Sequence, residues 1–344
     1  MTALVECVPN FSEGRDKSVI KAITNAMVSV EGVSLLDVDM GADFNRTVVT
    51  IVGPPDAVLE SAINGTRVAM ERIDMSTHSG EHARMGAVDV VPFIPISGTS
   101  MADCVDLSVR FAEQASEEFG LPVYLYAESA RVDERIRLPD IRRGEYEGLK
   151  DKFSDPDWHP DFGPAEFKPT MGATASGARN ILIAYNVNLN TNDKPSANQI
   201  AGKLRSSGVL KKDARGQKII GPDGKPERIP GQFQSLQAAG WMYNDDIAQV
   251  SMNLLDYSLT GLHTVTEAIR NEAAIMGLKV TAGEIVGLVP LNAILNAGEF
   301  YIDDSDNTDT RGLVNAAISG LKLDVLGEFI PEERIIEWAA EVIE

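Results

Sequence analysis

The chain has 344 residues, enough for about two domains at roughly 100–200 residues each. It is 44% hydrophobic, 24% charged and 6% aromatic, with 31 Lys and Arg against 51 Asp and Glu for a formal net charge of −20. That balance excludes DNA or RNA as a main partner and disfavours an anionic membrane surface, because phosphate binding needs a basic face. A small anionic ligand remains compatible, since a few local Arg or Lys can hold one against the global sign. Two cysteines, Cys7 and Cys104, rule out a disulfide framework by count. Met1–Arg15 carries Glu6 and Glu13 where a signal peptide would be basic and then apolar, and no window reaches the roughly 18 apolar residues of a membrane span. A reduced, cytoplasmic protein is expected.

In chain order, Leu4–Pro9 favours a short strand, and Asp16–Val30 has the apolar spacing of one helical face. Val33–Val38 and Thr47–Val52 read as strands, and Pro54-Pro55-Asp56 opens a second helix. Val88–Ile96 is a strand carrying Pro92 and Pro95, which predicts an edge position or an early end. Ser100 to Asp103 resembles a capping box before a helix that stops at Gly120, and Pro122–Tyr126 is a strand. Arg131–Asn180 holds five prolines and little periodicity, the pattern of a functional loop or linker.

The second half repeats the scheme. Strands are expected at Ile181–Leu189, Leu236–Met242, Gln249–Asp256 and Lys279–Leu288, and helices at Pro195–Arg205, Gly261–Met276, Leu291–Ala297, Leu313–Leu321 and Glu332–Ile343. Gly208–Gly231, with five glycines and six basic residues around Pro222-Asp223-Gly224, reads as a solvated hairpin or as a basic lid over an anion. Each half follows a β-α-β-β-α-β order. This favours an α/β (α+β) chain of two ferredoxin-like subdomains over a doubly wound sheet. The expected divisions are 1–180, 181–330 and a C-terminal helix at 331–344.

Nucleotide-cradling glycine motifs, HExxH and GxSxG are all missing. Four histidines occur, so Thr77-His78-Ser79-Gly80-Glu81-His82 is the most informative segment. As metal ligands the pair would need a helix to share a face, and Gly80 argues for a loop. As a general acid/base, one imidazole could move a proton in both directions of a transfer. Two hydrogen-bonded loop histidines are the plain structural alternative. Asp37 and Asp39 point to one side of a strand and could orient a histidine or meet a substrate amine, or they simply end the strand. Asn45-Arg46 and Arg84 supply an amide and possible anion anchors.

Several longer segments resemble glutamate formimidoyltransferase. They are Val5-Glu6-Cys7-Val8-Pro9-Asn10-Phe11-Ser12-Glu13-Gly14, Leu36-Asp37-Val38-Asp39 with Asn45-Arg46-Thr47, and His78-Ser79-Gly80-Glu81-His82 with Arg84-Met85-Gly86. The likeness continues through Asp161-Phe162-Gly163-Pro164, Gly172-Ala173-Thr174, Gly177-Ala178-Arg179, Ile183–Leu189 and Gln249–Asp256 to Glu333–Glu337. The resemblance implies a transferase that moves the formimino group of N-formimino-L-glutamate to N5 of tetrahydrofolate, a co-substrate, in histidine breakdown. It implies two subdomains around a substrate tunnel, a homodimer, no metal and no cyclodeaminase domain.

Carried over residue by residue, the catalytic histidine is His82. For the cationic amidine we select Asp39. Substrate-binding candidates are Asn10, Asn45, Arg46, Arg84 and Arg179. The folate segment corresponds to Gly163, Pro164, Ala165, Glu166, Phe167, Lys168, Pro169, Thr170, Met171 and Gly172. Lys168 and Met171 depart from the apolar residue and Trp of animal relatives, which bears on aromatic stacking. Three other readings stay open: N-formyl-L-glutamate as donor, a folate-binding protein without catalysis, and a metal-dependent amidohydrolase using His78 and His82.

Overall fold

The computed structural model describes residues 3–222, 224–303 and 309–342, with side chains through 340. The described residues divide into two compact units, 3–180 together with 340–342, and 181–339.

In the first unit, β1 (Leu4–Cys7) and β2 (Asn10–Phe11) lie end to end, broken at Val8-Pro9, between β4 (Arg46–Gly53) and an inner strand, β5 (Val88–Ser97). Helix α1 (Lys17–Val28) leads to β3 (Ser34–Gly41), which pairs with β4, and α2 (Pro55–Arg72) returns the chain toward β5. This is the split β-α-β-β-α-β arrangement, with strand order β3-β4-β1/β2-β5. Helix α3 (Met101–Phe119) then crosses to β6 (Val123–Ala127). Short helices α4 (Leu138–Ile141) and α5 (Leu149–Lys152) follow. Strand β7 (Thr174–Ala178) inserts between β5 and β6, parallel to both.

Two expectations are corrected here. Val88–Ile96 is an inner strand, because both prolines fall where the ladder is already interrupted. Pro92 offers its carbonyl to Val8 N in the gap between β1 and β2, and Pro95 sits at a register slip beyond the last partner on β7. The second correction is that Arg131–Asn180 contains a strand. Thr174–Ala178 has only small residues, and its Gly177 lies where a Cβ would strike the Tyr126 ring at 2.6 Å. Small side chains there permit close packing, and they also erase the β-branched pattern that marks a strand.

Helix α3 begins with the expected capping box, Ser100 and Asp103 each bonding the other's backbone, and ends at Gly120 with φ of 62°. Its Leu107, Phe111 and Ala115 pack with Ile23, Met27, Leu59, Val91 and Phe93 in one apolar core on the helix-covered face. Each large side chain buried this fully contributes roughly 1.5–3 kcal/mol. A bulge between Leu35 and Asp37 turns Val38 and Met40 toward that core and leaves Asp37 and Asp39 exposed.

The second unit is a four-stranded antiparallel sheet of order β11-β12-β8-β13. It runs β8 (Ile183–Leu189), α6 (Lys194–Leu204), a small ribbon of β9 (Val209–Leu210) and β10 (Arg228–Ile229), then β11 (Leu236–Asn244) and β12 (Ile247–Leu254). Helix α7 (Leu262–Ile275), β13 (Val280–Val286), α8 (Leu291–Tyr301), α9 (Thr310–Leu321), α10 (Pro331–Arg334) and the start of α11 (Ile336–Val342) complete it. This too is the split βαβ order. Alternate residues Ile183, Tyr185, Val187 and Leu189 enter its core.

The basic segment folds back on itself through the β9–β10 pairing, with Lys211 paired to Glu227 at 2.8 Å; Asp223 at its tip lies outside the described residues. The single helix expected at Glu332–Ile343 is two, parted at Ile335, which bridges to Val289; Ile343 lies outside the described residues.

Candidate functional site

The segment between α2 and β5 starts with a short turn at Met75–Thr77, capped by Asp74, and then follows an irregular path to Ala87. It lies against the β3–β4 turn. Asn45, buried and in the left-handed region (φ 48°), accepts from Gly14 N at 3.0 Å and donates Nδ2 to the Ser79 carbonyl at 3.0 Å. Gly80 is required at its position, since a Cβ there would lie 2.2 Å from the Phe44 carbonyl oxygen. Backbone bonds join the two ends of this segment to residues 170–173: Met75 N to Thr170 O at 3.0 Å, Ala87 N to Met171 O at 2.9 Å, and Ala173 N to Met85 O at 3.1 Å.

The two histidines have different surroundings. His78 donates Nε2–H to the Asn45 carbonyl at 2.9 Å and accepts Arg84 Nε at 3.3 Å on Nδ1, so both ring nitrogens are occupied. His82 contacts the Ala83 carbonyl through Nδ1 at 2.6 Å. A carbonyl only accepts, so Nδ1 carries the proton and Nε2 keeps its lone pair, with no hydrogen-bond partner among the described residues. The ring is half-buried, edge-on to Phe44 at 6.2 Å between centroids. Burial first, and then the Arg46 and Arg142 charges, hold its pKa below the ordinary histidine value; the Ala83 bond and Asp89 oppose them. Together these influences favour the unprotonated ring.

The charges beside it stand on the sheet face opposite the large helices. Asp39, Val48, Asn10 and Val90 form one row across β3, β4, β2 and β5. Arg46 donates Nη2 to Asn10 Oδ1, while Asn10 Nδ2 bonds the Val8 carbonyl at 2.8 Å. Next to Val90, Asp89 is 1% exposed; it accepts Met85 N at 2.9 Å and Arg142 Nη2. Burial and then the Arg142 charge lower the Arg46 pKa, opposed by Asp89 and Asp39. The carboxylate whose charge reaches His82 is thus Asp89, whereas Asp39 is exposed and bears on Arg46.

Sequence reasoning passed over Asp89 and Arg142. A lone acid inside the apolar run Val88-Asp89-Val90-Val91 was a signal for the first. Nothing local marks Arg142, which caps the short helix α4.

Arg84 is buried and fully engaged. It bonds Glu147 through Nη1 at 2.9 Å and Nη2 at 2.6 Å, Glu145 at 3.1 Å, and His78. The Glu147 bond, with the Glu147 and Glu145 charges, raises its pKa further against the effect of burial. With His78, Ser79, Gly80 and Gly144 this group lines a cleft of about 500 Å³. Arg179 donates its backbone N–H to the Phe93 carbonyl at 3.2 Å, and its side chain acts on buried Tyr126, whose phenol burial pushes up.

Residues Gly163–Gly172 form the loop that enters β7. Gly163 and Gly172 have φ of 84° and 73°, and Phe167 packs on Tyr146 at 5.5 Å. Tyr146 donates its hydroxyl to the Pro169 carbonyl at 2.6 Å. Lys168 Nζ lies 2.9 Å from where a Gly120 Cβ would be, against the C-terminus of α3, where a cation is favoured. Met171 packs on the helix-side core; Pro164 is half-buried, and Ala165, Glu166 and Thr170 are exposed. Among the described residues no group of three His, Cys, Asp or Glu could hold a metal ion, and no helix is long and apolar enough to cross a membrane.

Comparison with known proteins adds the following. The family model "Formiminotransferase domain, N-terminal subdomain" matches residues 4–179, and "Formiminotransferase domain" matches residues 184–341. A pig protein named formimidoyltransferase-cyclodeaminase is 46% identical over 341 residues, which are 98% of this chain and 60% of that protein. Proteins named glutamate formimidoyltransferase match at 39% identity: one from Streptococcus pyogenes covers 89% of this chain and 95% of its own length, and one from Thermoplasma acidophilum 92% and 99%. The chain spans about 60% of the length of the first of these relatives.

Proposed function

We propose, for a chain that belongs to the formiminotransferase domain family through both of its units, that it transfers the formimino group of N-formimino-L-glutamate to N5 of tetrahydrofolate. The observation that carries this reading is the neutral His82 ring, whose Nδ1 is committed to Ala83 and whose Nε2 lone pair has no protein partner among the described residues.

The chemistry needs a group that works in both directions. N5 attacks the amidine carbon, forming a C–N bond and a tetrahedral intermediate. His82 Nε2 takes the proton that N5 loses, then returns one to the glutamate nitrogen as the old C–N bond breaks. Such acid/base help is worth about 10²–10⁴-fold. Asp39, on the open face in one row with Asn10, steadies the cationic amidine. Asn10, Arg46 and Arg179 bind substrate on the same face. Asn45 and Arg84, whose bonds are already made to Gly14, Ser79, Glu145 and Glu147, contribute by fixing the His82 segment. Gly163–Gly172 takes the folate. On the same reading the enzyme is a cytoplasmic homodimer that needs no metal.

His82→Ala tests this directly. Turnover is expected to fall by two orders of magnitude or more while folate affinity, measured by fluorescence titration, changes less than twofold. Near-wild-type transfer by the purified variant would overturn the assignment. Initial rates with formimino and formyl donors, measured on the wild type, decide between the two groups.

A further inference from the structure

The donor in this reading makes a geometric demand. In N-formimino-L-glutamate, the nitrogen released from the amidine carbon is bonded to the carbon that bears the α-carboxylate. A cation holding that carboxylate must therefore stand beside the acid/base imidazole. A more distant cation reaches only the side-chain carboxylate.

Arg84 does not meet the demand, because two carboxylates and His78 already take its guanidinium. Arg179 lies beside Phe93, four positions along β5 from Asp89, and is the more distant cation suited to the side-chain carboxylate. Arg46 and Arg142 remain, and the backbone brings them to one place. Asn10, which holds Arg46, is opposite Val90, and the adjacent Asp89 holds Arg142. Arg142 pairs with the buried Asp89, whereas Arg46 is held by the neutral Asn10 amide and feels the Asp89 charge without pairing with it. Asp39 beyond them is exposed and screened by solvent. In each arginine, Nε is buried without a partner and only Nη2 is bonded to protein, so Nη1 is left for a ligand among the described residues. A carboxylate completes this arrangement, and Arg is the side chain suited to it.

Resting on the reading of His82 as the transfer acid/base, we propose that Arg142, positioned by Asp89, binds the α-carboxylate of the donor with Arg46 beside it. Asp89 also accepts Met85 N, at the end of the His82 segment, so one rigid carboxylate sets both the anchor and the loop that carries the imidazole.

The test compares N-formimino-L-glutamate with 4-(formimidoylamino)butanoate, which lacks only the α-carboxylate. Wild-type enzyme is measured first: transfer to tetrahydrofolate must be present, with kcat/KM about 10- to 100-fold lower on the truncated donor, the range of one charge-assisted anchor. Arg142→Gln is expected to raise the KM of the full donor by about the same factor. It should leave the KM of tetrahydrofolate within twofold and lose little more on the truncated donor. Should the single variant misfold around an unpaired Asp89, Asp89→Asn with Arg142→Gln removes both charges and is expected to give the same donor-selective pattern. Equal losses on both donors, a rise confined to the tetrahydrofolate KM, or a folded double variant with wild-type donor KM would each overturn the proposal. Absence of transfer in the wild type would instead overturn the reading beneath it.

Discussion

Replacing Gly80 by alanine perturbs the position of His82 without touching its chemistry. The added Cβ would lie 2.2 Å from the Phe44 carbonyl oxygen, 2.8 Å from the Phe44 carbonyl carbon and 3.0 Å from Asn45 Cβ, whereas ordinary contact begins at 3.4 Å. The obstacle is backbone on the β3–β4 turn. That turn is held by the two Asn45 side-chain bonds and by the His78 bond to the Asn45 carbonyl, so the segment carrying His82 must yield. A displacement of roughly 1 Å at a reacting group costs on the order of 10²-fold in rate. The shift is local, so the loss of stability should stay near 1–3 kcal/mol, as for an overpacked site. Steady-state transfer rates alongside urea unfolding of the same preparation separate the two effects. A Gly80→Ala variant with wild-type turnover would refute the argument that this contact sets the imidazole's position.

Further outcomes follow from the same site. Because burial and the cations Arg46 and Arg142 favour the neutral ring, the acid limb of kcat/KM should have its midpoint below the ordinary histidine value of about 6.5. Arg46→Gln removes a positive charge, stabilises the protonated ring and should move that midpoint upward. By linkage, the folded state binds the His82 proton less tightly than the unfolded one. Its contribution to stability is therefore present above about pH 6.5 and lost as pH falls toward the lowered value. Asn45→Ala leaves Gly14 N–H and the Ser79 carbonyl without their partners and puts alanine in the left-handed region. A loss of about 2–4 kcal/mol is expected, read as a lower urea midpoint at unchanged slope.

The split βαβ order was readable in both halves because it is written in local periodicity. Ile23 and Met27 mark one helical face, and Ile183, Tyr185, Val187 and Leu189 alternate along a strand. The features that escaped depend on partners distant in sequence. Thr174–Ala178 becomes a strand because β5 and β6 flank it, and its small residues suit that close space rather than any intrinsic preference. Val88–Ser97 tolerates its prolines only because β1 and β2 are broken opposite Pro92. At the site, scarcity drew notice to His78 and His82, but spacing could not tell a ring with both nitrogens bound from one with a free lone pair. That difference is set by Asn45, Arg84 and Ala83. Arg142 was invisible for the same reason: its meaning comes from Asp89, 53 positions earlier.

The bonds from Met75 and Ala87 to Thr170 and Met171 have a kinetic consequence. The stretch bearing the imidazole is tethered at its entry and its exit to a single neighbouring run of chain, the one that leads out of Gly163–Gly172. On the proposed assignment of Gly163–Gly172 to the folate and of His82 to proton transfer, a ligand that tugs on that run pulls both tethers together, so the ring travels with the acceptor's surface. Changes made there to retune acceptor affinity will therefore be felt in turnover as well.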